Sequence, residues 1–236
     1  MASPRPVRIA ALASALLVIF AAANLVYQVA KKPTEMLFPL SGGLDKTPAQ
    51  TWRQYGALFE KYSTALISPE LLAALAQIEG AGNPMAHTYW RWRLTLHPFA
   101  IYAPASSAVG MYQMTDPTFA EARRYCIRDH AVVTDCWFTG LYNRLVPSNA
   151  IELAAALLDR DSAAILERRR GAPATKRQRQ DLAAIIHLCG AGAADAFARR
   201  NFRLSPGEHC GDHDAAFYVA KVEAMVRQFA RLAAEK

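Results

Sequence analysis

The sequence predicts an all-α, predominantly helical domain behind an apolar, membrane-spanning N-terminal segment. Three observations carry that expectation. Residues 9–30 form an uncharged, largely apolar stretch of 22 residues, long enough to cross a bilayer as a helix. From Thr47 onward, apolar residues recur at helical spacing behind recognisable helix-start signals. No stretch of useful length alternates apolar and polar residues as a half-buried strand would. Internal repeats, a nucleotide-binding loop and a nucleophile elbow are absent as well. Roughly six to eight helices are expected between Thr47 and the C-terminus.

At the N-terminus, Arg5 and Arg8 precede the apolar stretch and Lys31 and Lys32 follow it, an asymmetry too weak to set orientation. A cleaved signal peptide would use Ala21-Ala22-Ala23 as its small-residue site. The apolar run continues through Leu25, Val26 and Val29. That is longer than an ordinary signal core and favours an uncleaved signal-anchor over residues 1–31, seated in the inner membrane through residues 9–30. Either reading exports the remainder, to the periplasm or beyond. Residues 32–46, with Pro33, Pro39 and Gly42-Gly43 and no periodicity, read as a linker, and residues 47–236 as the folded domain. Lys and Arg exceed Asp and Glu by 27 − 20 = 7, with a pI of about 9.4. Such a balance suits a membrane surface, nucleic acid or an anionic polymer. No zinc finger or aromatic-basic RNA-binding motif is present, so nucleic acid is not expected as a partner.

Thr47-Pro48-Ala49-Gln50 is a capping box with proline at the first helical position. The helix it starts places Trp52, Tyr55, Phe59 and Tyr62 on one core-facing side. Ser68-Pro69-Glu70 opens the next helix with an N-cap, a proline at N1 and an acid in the first turn. Gly80, Gly82 and Asn83-Pro84 close it. Leu72, Leu75, Ala76 and Glu79 share one face of that helix. Glu79 is the sole charge on this apolar face, so it either reaches solvent past the helix end or is held there to work, because burying an isolated charge is costly.

Farther on, residues 117–125 read as a short helix with Asp116 as its cap, and Ser148 caps a helix with the stripe Ile151, Ala154, Ala155, Leu158 and Ile165. Arg168, Arg169, Arg170, Lys176, Arg177 and Arg179 form a basic run around Gly171 and Pro173. Such a run is usually a solvated loop, and lipid headgroups or glycan carboxylates are its alternative contacts. Leu182, Ile185, Ile186 and Cys189 line another helix, and Tyr218, Val222, Met225, Phe229 and Leu232 the last.

The combination of Glu79 at a helix end, Asn83-Pro84, Ser106-Ser107-x-x-Gly110, then Gly110-Met111-Tyr112-Gln113-Met114-Thr115 and an Asp116-Pro117 helix start resembles the lytic transglycosylase domain of the soluble-transglycosylase type. The resemblance covers roughly residues 68–229. It implies a lysozyme-like helical fold, a peptidoglycan substrate and no cofactor or metal. It implies that Glu79 acts as the single acid and base, cleaving the β-1,4 bond between N-acetylmuramic acid and N-acetylglucosamine to leave a 1,6-anhydro sugar. Glu79 would have to begin the reaction protonated, which an apolar setting favours. Ser106, Ser107, Gly110, Tyr112, Gln113 and Met114 become candidate substrate contacts. Tyr218, with Val219 and Val222, resembles the family's closing Tyr-x-x-x-Val element, whose tyrosine faces the glutamate. An envelope or secretion machine is a further candidate partner.

Two regions depart from the family pattern. Residues 85–105 lengthen the spacer before Ser106 and carry Tyr89, Trp90, Trp92, Phe99 and Tyr102. Trp90 and Trp92 could stack on sugars, or the group could form a small satellite core. Leu188-Cys189-Gly190-Ala191-Gly192 stands where the family has Ala-Tyr-Asn-x-Gly, which puts Cys189 at the tyrosine and Gly190 at the asparagine. The substitution removes a hydroxyl and an amide from that place. It keeps two rivals open: a goose-type lysozyme-like hydrolase activating water with Asp129 or Asp135, and a catalytically silent glycan-binding scaffold.

Cys126, Cys136, Cys189 and Cys210 allow three pairings. Cys126 with Cys136 and Cys189 with Cys210 close local loops and are expected in an exported domain. A metal held by Cys189, Cys210 and His213 is the alternative, though its spacing matches no zinc pattern.

Overall fold

The computed structural model describes residues 4–37, 41–169 and 173–235. Pro39 of the linker and Arg170-Gly171 of the basic run lie outside these residues. Seven α-helices are described: α1 (Arg5–Lys31), α2 (Pro48–Tyr62), α3 (Pro69–Gly80), α4 (Asp116–Ala122), α5 (Pro147–Arg168), α6 (Lys176–Arg199) and α7 (Ala215–Ala234). The all-α expectation holds.

The core is built around α3. Leu71 through Ala76 are fully buried, because α2, α5 and α7 all pack against this one short helix. From α2 come Trp52, Tyr55, Phe59 and Tyr62, all buried as their spacing predicts. Trp52 stacks on Phe59 at 6.2 Å and meets Phe229 of α7 at 5.8 Å. Such aromatic pairs add about 0.5–1.5 kcal/mol beyond their buried area. α5 buries its predicted stripe of Ile151, Ala154, Ala155, Leu158 and Ile165. α7 buries Tyr218, Val222 and Phe229, with Met225 and Leu232 half-buried against the same core.

The helix starts follow local rules, with two corrections. Thr47 forms a full capping box with Gln50, and Ser68 Oγ accepts from Leu71 N at 3.3 Å. At α5 the expected cap is displaced: the N-cap is Val146, Pro147 takes the first position, and Ser148 is already helical. Proline fixes the helical φ and has no N–H to satisfy, so it outcompetes the serine. Asp116 likewise is no cap. It sits at the start of α4, after Thr115, and pairs with Arg144 at 2.5 Å. Sequence reading passed over the capping box of Thr175 and Gln178 on α6 and the cap from Asp214 to Phe217 N on α7.

Three antiparallel hairpins interrupt the helices: β1 (Trp90–Trp92) with β2 (Tyr102–Pro104), β3 (Cys126–Arg128) with β4 (Ala131–Val133), and β5 (His209–Cys210) with β6 (His213–Asp214). Strands of two or three residues are too short to show alternation, which is why they escape the sequence. The structure pairs Cys126 with Cys136 and Cys189 with Cys210, at Cα separations of 5.9 and 5.3 Å. Each such bridge contributes on the order of 2–4 kcal/mol. The buried Glu152 of α5 pins the first bridged loop: it accepts from Ile127 N at 3.0 Å and from Tyr142 Oη at 2.8 Å.

Asp181 of α6 gives the fold a pH dependence. Burial and the neighbouring Glu223 charge push its carboxyl up from 3.8 to about 6, against the opposing pull of Arg177. A pKa raised on folding makes the protein most stable below the unfolded value of 3.8, and that contribution is lost as pH rises through about 6. Asp181→Asn is therefore expected to raise the melting temperature at neutral pH. The gain should shrink to nothing below pH 3.8. Thermal unfolding of both proteins across this range measures it, and a gain independent of pH would contradict the assignment.

Candidate active site

α3 ends where its last turn emerges from the core. Glu79 stands there with a side chain 20% exposed, between Ile78 and the buried Gly80. Ala81 closes the helix in the left-handed region at φ 49° and donates to Ala76 O and Gln77 O. Gly80 is required by close approach: a Cβ there would lie 2.8 Å from Met111 Cα. The glycine lets the segment carrying Met111 to Met114 lie directly on the helix end.

Two side chains from distant parts of the chain reach Glu79. Tyr218 Oη donates to Glu79 Oε1 at 2.5 Å, across 139 positions of sequence. Burial, the Glu79 charge and this bond all push the Tyr218 hydroxyl upward, so it stays protonated and acts as a donor. His187 Nε2 lies 3.7 Å from the same oxygen. Its ring meets Tyr112 edge-on at 6.5 Å.

Glu79 opens onto a cleft of about 560 Å³, lined also by Gln113, Met114, His187 and His213. Arg160 stands in the cleft wall, bonded to both Glu121 and Asp161 and placed over the ring of Tyr125. On its other side Glu79 borders a second recess of about 380 Å³, lined by Ser41, Asp45, Asn83 and His87. Glu79 thus borders both recesses.

The structure sorts the sequence-predicted site residues into three groups. Glu79, Gln113 and Met114 line the cleft, and Tyr218 lies behind it on Glu79. Tyr112 is a wall rather than a free contact: it is 1% exposed and its hydroxyl donates to Leu72 O at 3.1 Å. Ser106, Ser107 and Gly110 shape the turn beneath. Ser106 Oγ accepts from Ala108 N, Ser107 Oγ accepts from Asp116 N, and Arg144 ties the turn together by donating to Ser107 O and Met114 O. Trp90 and Trp92 are not among the cleft-lining residues. In the β1–β2 hairpin Trp92 stacks on Tyr102, Trp90 meets the same ring at a tilt, and Trp90 Nε1 donates to Glu35. The aromatic density of that stretch serves a structure facing α1.

Asp129 and Asp135 also fall elsewhere. Asp129 is in the β3–β4 turn and Asp135 pairs with Arg128 at 2.7 Å, so neither is placed to activate water beside Glu79. The Cys189–Cys210 bridge takes both thiols from the metal alternative. Next to it, Gly190 breaks α6 at φ 80° and ψ 167°, a conformation open essentially to glycine alone. Gly190 and Ala191 line the cleft at this break.

The Transglycosylase SLT domain family matches residues 57–175, which is 119 of the 236 residues. The chain belongs to this family. No curated protein and no solved structure matches it. Membership supports a lytic-transglycosylase-like, glycan-cleaving function on peptidoglycan, and hence a place outside the cytoplasm. The match ends before α6, so His187, Gly190, His213 and Tyr218 lie beyond it.

Tyr218→Phe tests what the bond to Glu79 does. The ring fills the same space, so packing should hold, and the melting temperature should fall only by what the lost bond contributed. A hydrogen bond to a charged group is worth about 1.5–3 kcal/mol, and murein cleavage should slow on the order of ten- to a hundredfold. Cleavage at the unsubstituted rate would reduce Tyr218 to a packing residue.

Proposed function

We propose that this protein is a peptidoglycan lytic transglycosylase of the periplasm, anchored in the inner membrane by α1, with Glu79 as its single acid and base. The carboxyl protonates the oxygen between N-acetylmuramic acid and N-acetylglucosamine as the C1–O bond breaks. The substrate's N-acetyl group stabilises the cation at C1. The Glu79 carboxylate then takes the proton of the 6-hydroxyl, whose oxygen closes on C1 to form the 1,6-anhydro sugar. Atoms balance without added water, and Glu79 ends as it began.

One observation carries this reading. Among the described residues lining the cleft, Glu79 is the carboxyl that accepts from a phenol, Tyr218, while Glu121 and Asp161 are both bonded to Arg160. A glycosidase working through two carboxylates needs a second one flanking the bond, whereas a substrate that supplies its own nucleophile does not. Tyr218 fits the cycle because it can donate to the carboxylate form after proton transfer. The anchor rests on α1, a 27-residue helix with an 18-residue apolar stretch of mean hydropathy 2.4, only 6% of which is buried. α6 passes the same length and hydropathy test, but 44% of its window is buried in the domain.

Glu79→Gln is isosteric and removes the transferable proton. Turbidity loss of purified murein sacculi should fall by at least about 10²–10⁴-fold, with thermal unfolding and glycan binding nearly unchanged. Mass spectrometry of the unsubstituted protein's digest should show 1,6-anhydro ends. Reducing ends would indicate hydrolysis, and retained cleavage by the variant would remove Glu79 from the chemistry.

A further inference from the structure

The β1–β2 hairpin has a tip that no part of the domain covers. Leu94 and Leu96 are fully exposed, at 108% and 101%, and Trp92 is 74% exposed. The direction in which the hairpin points follows from its partners on and after α1. At its base, Trp90 Nε1 donates to Glu35 at 2.7 Å, and Lys32 Nζ reaches Ser106 O and Ala108 O at 3.2 Å. Farther along, Asn24 Nδ2 donates to Tyr102 O at 2.8 Å and Gln28 Nε2 donates to Phe99 O. Nearest the tip, Phe99 stacks on Tyr27 at 4.8 Å and on Phe20 at 6.3 Å. The base meets positions 32 and 35, while residues 99–102 meet positions 20 to 28 of α1. At 1.5 Å per residue, Phe20 lies roughly 16 Å before the end of α1 at Lys31. The hairpin therefore runs back alongside the apolar helix.

We propose that this tip is a second membrane contact, inserted into the headgroup and upper acyl region of the phospholipid bilayer that α1 crosses. The inference rests on α1 being the membrane anchor. Asn24 and Gln28 are nearly buried amides in the otherwise apolar stretch of residues 9–30. In hydrocarbon they would need partners, and so would the edge carbonyls of a two-stranded ribbon. The two amide NH2 groups meet such carbonyls where hairpin and helix touch: Gln28 donates to Phe99 O and Asn24 to Tyr102 O, while Asn24 Oδ1 is left without a partner. The outer face presents the apolar tip to lipid. Trp90, Trp92 and Tyr102 form an aromatic cluster nearer the base, the amphipathic aromatics that membrane–water interfaces select. The exposed Arg91 has a side chain long enough to reach anionic headgroups from there, while Arg93 donates to Ala105 O within the hairpin.

The test uses the full chain in vesicles of phosphatidylethanolamine and phosphatidylglycerol. The four native cysteines are paired in disulfides, so a cysteine introduced at an exposed site can be labelled with an environment-sensitive fluorophore. Leu94→Cys reports the tip, Leu17→Cys reports α1, and Ala224→Cys on α7 is the aqueous control. The label at 94 should be quenched by lipid-borne nitroxide and should respond several-fold less to aqueous iodide than the label at 224. A label at 94 that behaves like 224 while 17 is in lipid would overturn the proposal and leave the anchor standing. That outcome, in vesicles holding no other protein, is also what a hairpin built to dock a protein partner would give. Labels at 17 and 94 both open to iodide would overturn the anchor and the proposal together. A lipid-quenched 94 with an iodide-accessible 17 would also overturn the proposal as stated, because the hairpin would then meet lipid without α1 crossing it.

Discussion

An acidic side chain at the C-terminal end of a buried helix is the constraint around which this domain is arranged. Glu79 sits where the α3 dipole is negative and its neighbours along the helix face are apolar. An ionised carboxylate is costly in such a place. Nothing within α3 can offset that cost, so the donor must come from elsewhere in the chain. Tyr218 supplies it, and can do so because α7 buries Tyr218, Val222 and Phe229 against α3. The packing of the last helix on the central one and the polar contact at the site are one interaction. The same constraint explains why α3 is followed by a glycine: the opposite wall, Met111 to Met114, must lie on the helix end with no Cβ between.

The walls of the cleft are fixed by chemistry that secondary structure alone would not provide. Arg144 clamps the turn through Ser107 O, Met114 O and Asp116, while Arg160 holds Glu121 and Asp161 together. Opposite, α6 breaks at Gly190, and the adjacent Cys189 is tied to Cys210 of β5. That bridge holds the β5–β6 hairpin against the break, and the hairpin brings His213 into the cleft. The departure from Ala-Tyr-Asn-x-Gly at positions 188–192 therefore has a physical content. A covalent link beside a glycine break shapes the wall there.

What was legible in the sequence is what local rules decide. The capping box at Thr47, the proline-led start of α3, the aromatic face of α2 and the two local cysteine pairs follow from spacing and from properties of single residues. Ser148 was misread because Pro147 takes the first helical position ahead of it; Asp116 was misread because the helix starts one residue earlier than its proline suggests, with Thr115 as N-cap and Pro117 second. His187 carried no local signal. It lies beside an apolar helical stripe, and only the packing of α6 brings it within 3.7 Å of Glu79. Arg144 and Arg160 were equally silent, since a basic residue on a helix or loop is usually solvated. The aromatic run at residues 89–102 was visible, but composition could not tell sugar stacking from packing. The helix it packs against, α1, lies more than 70 positions upstream.

The segment between α1 and α2 is bonded to the domain where it is described. Ser41 O accepts from Asn83 Nδ2 at 2.6 Å, and Asp45 accepts from the same amide at 2.8 Å. Lys46 N donates to Ala81 O, and Lys46 O accepts from Gln77 Nε2. Every one of these partners lies within four residues of Glu79 in sequence. The same segment lines the second recess beside Glu79. At its start, Lys32 and Glu35 pair with each other and hold the base of the β1–β2 hairpin. The chain leaving the apolar helix is thus secured first to the hairpin and then to the end of α3. A freely jointed linker of this length would let the cleft sample many heights above a bilayer. Bonds at both ends of the segment reduce that freedom, so that the position of α1 and the position of Glu79 are set together.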